Sequence, residues 1–98
     1  MPRLFAVTLE RGPRWNDLAP MEDQEDWRPH ADCMNALKAE GFVVLGGPLE
    51  GTRQVLLILR AGDPDQIRSR LAPDPWHQQG LLKIVEITPW HLRLGSLA

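Results

Sequence analysis

The stretch "FVVLGGPLEGTRQVLLILR", Phe42 to Arg60, decides the fold. Two short runs rich in valine, leucine and isoleucine, Phe42–Gly47 and Arg53–Arg60, flank "GPLEGT", whose glycines and proline suit a hairpin-like loop between neighbouring strands. Side chains alternate across a strand, so in the second run Val55, Leu57 and Leu59 point one way and Leu56 and Ile58 the other. Both faces are apolar. The first run reads alike, with Phe42 and Val44 opposed by Val43 and Leu45.

Working outward, "LFAVTL", Leu4 to Leu9, is a strand ended by charge and then by Gly12-Pro13. The acidic run "MEDQED" after Pro20 suits the first turns of a helix, where carboxylates meet the positive end of the helix dipole. Pro29 predicts a break, with a helical segment from Pro29 to Glu40 that carries the proline in its first turn and Gly41 at its C-terminal cap. "GDPDQIRSRLA" is a helix with Asp63 as N-cap, Pro64 at the first position and Gln66 at the capping-box position. "LLKIVEIT", Leu81 to Thr88, is a further strand, and "PWHLRLG" is expected to add a short terminal one.

The order is β-α-β-β-α-β, an α+β ferredoxin-like arrangement with two helices on one face of an antiparallel sheet. Two helices cover one face only. The second apolar face predicts a homodimer packed sheet to sheet, because a monomer would leave that face in water.

Composition narrows the function classes. A chain of 98 residues has room for one domain, 1–98. Its net charge of −2 and scattered basic residues supply no footprint for a phosphate backbone, so nucleic acid is not an expected partner. No apolar run is long enough to span a membrane, and the apolar start is too short for a signal peptide. A single cysteine, Cys33, agrees with a reducing compartment, and the expected location is cytoplasmic.

Asp74 is locked between Pro73 and Pro75 in "LAPDPWHQQGLL". As an Asp-Pro pair it reads first as a cap for the short turn before Gly80, yet there is little helix to cap, and the flanking prolines lower the entropy of placing a carboxylate. His30 falls three residues after Trp27 and four and seven before Met34 and Leu37, on the apolar face of its helix. A buried histidine satisfied by a backbone carbonyl is the plainer reading of that pattern. Cys33 reads as a small buried hydrophobe before it reads as a nucleophile. His77 and His91 have no metal-ligand spacing with His30 or with each other, so no metal is expected, and "GGPLEG" lacks the spacing of a phosphate cradle. The four tryptophans are core or pocket wall.

The run "HADCMNALKAEGFVVLGGPL", the "DPW" at Asp74 to Trp76 and the following "QQGLLKIVEITPW" resemble the YCII-related (YciI-like) domain family over Trp27 to Trp90. That resemblance implies a dimeric α+β barrel of ferredoxin-like protomers. It also implies that His30 and Asp74 pair in a pocket as an active site. Some members resemble dehydrochlorinases acting on chlorinated hydroxyquinol-type rings, and the fold is shared with muconolactone isomerases. The expected function is a cofactor-independent lyase or isomerase in which His30 moves a proton on a small cyclic or carbonyl-bearing substrate and Asp74 orients its ring. Gly47 and Pro48 are expected to shape the pocket and Trp76 to wall it. The alternative is a noncatalytic small-molecule-binding or regulatory module using the same pocket.

Overall fold

The computed structural model describes residues 2–97. Strand β1 (Arg3–Arg11) is followed by helix α1 (Trp27–Ala39), strands β2 (Val43–Pro48) and β3 (Gln54–Ala61), helix α2 (Pro64–Leu71), the one-turn helix α3 (Pro75–Gln78) and strand β4 (Leu82–Pro89). The strands form one antiparallel sheet in the order β2-β3-β1-β4, so the fold is α+β and ferredoxin-like. Alternation along β1 sends Phe5, Val7 and Leu9 to the helix side, where they meet Leu57 and Leu59 of β3, Leu37 of α1 and Ile67 and Leu71 of α2. This is the main core. A second cluster joins Trp15 and Trp76 to Leu81 and Leu82 at the β1–β4 end of the sheet.

The caps explain where the helices begin. Asp63 accepts a hydrogen bond from the Gln66 backbone N–H at 2.8 Å, and the Gln66 side chain takes the Gly62 N–H at 2.7 Å. The first bond satisfies a donor that a helix start leaves without a partner, and the second ties down the residue before the cap. Asp63→Ala is expected to lower stability by about 1 kcal/mol, read as a shift in the urea midpoint with an unchanged slope.

Several expectations are corrected. The acidic run forms a single 3-10 turn at Met21–Asp23 rather than the first turns of a helix. Gln24 is the reason: its side chain is turned inward, donates to the Asn16 and Ala19 carbonyls at 2.8 and 3.1 Å and accepts from the Asn16 N–H at 2.9 Å. Helix α1 begins at Trp27, two residues before Pro29, which causes no break because the N–H it lacks is one that a first turn leaves unbonded anyway. Asp26, in a left-handed backbone conformation (φ +58°), bends the chain into that start. Gly41 (φ +81°) follows the helix end as expected.

In β2 the expected alternation fails. Val43 pairs with Leu59 and Leu45 with Ile58, leaving Val44 as the extra residue of a bulge, and Phe42 and Val43 both enter the core. Among the described residues no terminal strand follows β4: past Pro89 the Trp90 N–H, bonded to the Leu4 carbonyl at 2.9 Å, extends the ladder by one bond. The partner strand β1 begins at Arg3, so little edge remains to pair.

The face away from the helices carries Leu56 and Ile58 of β3 beside Leu45 of β2, which is 53% exposed. Among the described residues no helix is long and apolar enough to cross a membrane.

Candidate active site

The site forms where the first turn of α1 meets α3. Residues 71–77 fold tightly: the Asp74 N–H bonds the Leu71 carbonyl at 3.1 Å, and the Asp74 carbonyl accepts from the His77 N–H at 3.0 Å. A second tie joins the two elements, from the Gln79 side-chain amide to the Asp26 carboxylate. Gly12 lets β1 pass against this connection. A Cβ there would lie 2.1 Å from the Gly80 carbonyl oxygen, and the Gly12 N–H bonds the Leu81 carbonyl at 2.8 Å.

His30 and Asp74, 44 residues apart, meet. His30 Nδ1 donates to Asp74 Oδ1 at 2.8 Å, with the carboxylate fully buried and the imidazole nearly so. The same oxygen faces the Trp76 backbone N–H at 3.4 Å, long for a cap, so the histidine is the stronger partner. Placing the donor proton on Nδ1 leaves Nε2 as the acceptor of a neutral imidazole, on a ring that lines the pocket. The imidazole lies flat on the Trp76 indole, with centroids 3.7 Å apart and planes 8° from parallel. Trp76 is held in turn by Nε1 donating to the Glu25 carbonyl at 2.7 Å and by an edge contact with Trp15 at 5.1 Å. The imidazole is thus fixed in plane, tilt and tautomer.

These groups open on a cavity of about 670 Å³ with largely apolar walls, including Trp27, Met34, Val55 and Leu57. Gly47 and Pro48 line it too, and also the smaller cavity, about 300 Å³, that includes Leu45, Leu56 and Ile58. The size suits a small molecule.

Two residues overlooked in the sequence reading also line the cavity, His77 and Arg11. His77 Nε2 stands 3.9 Å from Asp74 Oδ2, an oxygen that is buried without a hydrogen-bond partner. Burial pushes the His77 pKa below its ordinary value; the Asp74 charge opposes that shift and His30 adds to it. His77 is therefore neutral at neutral pH. Its signal is the three-residue spacing from Asp74, which one helical turn closes. Cys33 packs against the main core, and burial, with a smaller push from the Asp74 charge, raises its thiol pKa away from thiolate chemistry. His91 lies at the exposed edge beside Arg3. Among the described residues no three or more His, Cys, Asp or Glu side chains converge as a metal centre.

The family model of the YCII-related domain matches residues 5–91. No curated protein and no solved structure matches the chain.

Proposed function

Taking as premise that the chain belongs to the YCII-related domain family, we propose that it is a cofactor-independent lyase or isomerase whose base is His30 and whose orienting carboxylate is Asp74. The observation that carries this reading is the 2.8 Å His30–Asp74 hydrogen bond at the wall of an apolar cavity. His30 Nε2 takes a proton from a carbon made acidic by a neighbouring carbonyl. The C–H bond breaks and its electron pair enters a new C=C bond or enolate. In an isomerase the imidazolium returns the proton at another carbon; in a lyase the pair expels a leaving group from the adjacent carbon. Asp74 stabilises the imidazolium and holds Nδ1 as the protonated nitrogen throughout. Apolar walls strengthen that charge interaction by excluding water. Trp76 walls the site and keeps the imidazole plane fixed, while Gly47 and Pro48 help to shape it.

Incubation with pools of small carbonyl compounds, followed by mass spectrometry, tests this reading. Wild type is expected to convert one class to an isomer or an elimination product, and His30→Ala is not. Enrichment of a compound by both proteins without conversion would instead identify a binding module.

We propose further that two protomers associate through the helix-free face. Support comes from exposed Leu45 and half-buried Leu56 on that face, beside Ile58, which the chain itself already buries. Light scattering at micromolar concentration is expected to give twice the chain mass or a multiple of it, and a monomer mass would contradict the association.

A further inference from the structure

We propose that Arg11 is the anchor for a substrate carboxylate, so that the pocket takes a monocarboxylate with an apolar body. The proposal rests on the reading of this cavity as the substrate site and adds the substrate class. Arg11 follows Phe5, Val7 and Leu9 in alternation along β1, which sends its side chain to the helix side of the sheet, a face otherwise given to the core. There the guanidinium carbon sits 4.4 Å from the centre of the Trp15 ring. Its Nε is buried and has no hydrogen-bond partner among the described residues.

A cation on an apolar face without an acceptor is costly, and such groups are ordinarily paired. Elsewhere in the chain Arg28, Arg53, Arg68 and Arg70 each reach a carboxylate. Arg11 makes no such ion pair among the described residues, although it lines the cavity. The one carboxylate that shares the cavity, Asp74, is engaged by His30. A ligand carboxylate in the cavity would supply the acceptor that Nε lacks, and the guanidinium fork matches a carboxylate with two parallel hydrogen bonds.

The rest of the pocket defines the remainder of that ligand. Arg11 packs on the Trp15 ring, Trp15 meets Trp76 edge to face, and the His30 imidazole stacks on Trp76, so a chain of ring contacts joins the anchor to His30 along one wall of the cavity. A ligand with its carboxylate at Arg11 and its acidic carbon toward His30 fills the cavity between them with its apolar body. Lys38 is the only other fixed cation among the cavity-lining residues, and Asp74 repels a second negative charge. A single negative charge therefore fits better than a phosphate dianion.

Titration of ¹⁵N-labelled protein with benzoate, benzamide and phenyl phosphate tests the assignment through the tryptophan indole N–H signals. Benzoate is expected to shift the Trp15 and Trp76 signals saturably and to bind at least about tenfold more tightly than benzamide. Arg11→Met should remove that preference and leave benzamide binding unchanged, with Arg11→Lys between the two. The wild-type comparison stands without a variant, should Arg11→Met fold poorly. Benzoate binding retained in His30→Ala separates the anchor from the base, so either can fail alone. Equal binding of benzoate and benzamide, no saturable benzoate shift, tighter binding of phenyl phosphate, or undiminished benzoate affinity in a folded Arg11→Met would each overturn the proposal.

Discussion

Asp74→Asn is expected to lower turnover by about 10²- to 10⁴-fold, the range an acid–base group ordinarily contributes, while stability changes far less. The amide keeps an oxygen that accepts from His30 Nδ1, so the geometry of the neutral state survives. What disappears is the negative charge that meets the imidazolium formed when the base takes its proton. The new NH₂ falls where Asp74 Oδ2 lies, an atom with no protein partner, so no existing hydrogen bond is broken there. Asp63→Ala supplies the contrast, since it removes a cap remote from the pocket and should leave turnover unchanged. Steady-state kinetics beside urea titrations of both variants separate the roles. Equal behaviour of the two aspartates would reduce Asp74 to a cap.

Trp76→Ala is expected to be the most destabilising change at the site, costing about 3–5 kcal/mol by the usual measure of a buried large-to-small replacement. That is a large part of the stability of a typical domain, about 5–15 kcal/mol. The indole is buried to 1% exposure, touches Trp15 and Trp27, backs the His30 ring and bonds the Glu25 carbonyl. Its loss opens a cavity and releases the imidazole together. Trp76→Phe keeps an aromatic surface under the histidine and loses the bond to Glu25, for about 1 kcal/mol. Thermal and urea unfolding of the two variants distinguish packing from hydrogen bonding.

Much of the architecture is legible along the chain because burial alternates with a period of two in β1, because β3 is an apolar run of strand length, and because Asp63-Pro64 and Gly41 mark helix ends. The bulge at Val44 is not legible. One additional apolar residue in an apolar strand changes no composition, and only pairing with β3 shows which residue is surplus. The segment around Gln24 misleads for a different reason, since a buried glutamine bonding the loop carbonyls outweighs the preference of acidic residues for a helix start. Pro29 reads as a boundary although a first turn tolerates it two residues in.

At the site, neither spacing nor periodicity brings together groups as distant in sequence as His30 and Asp74; resemblance suggests the pairing, and the packing of α3 against α1 makes it. His77 escapes notice when histidines are compared only as metal ligands. Arg11 escapes because charge followed by Gly12-Pro13 reads as the end of a strand, whereas β1 continues through it and turns it toward the pocket.

If His30 moves a proton under the control of Asp74, as proposed, solvent deuterium exchange reads that transfer directly. A pocket ligand identified in the compound pools would be incubated in D₂O with wild type, His30→Ala and Asp74→Asn, then recovered and analysed by mass spectrometry and proton NMR. Wild type is predicted to place deuterium at one acidic carbon of recovered substrate or product, Asp74→Asn to do so about 10²- to 10⁴-fold more slowly, and His30→Ala not to do so above the solvent background. Ligand bound by all three proteins and returned with the same label from each would contradict the claim.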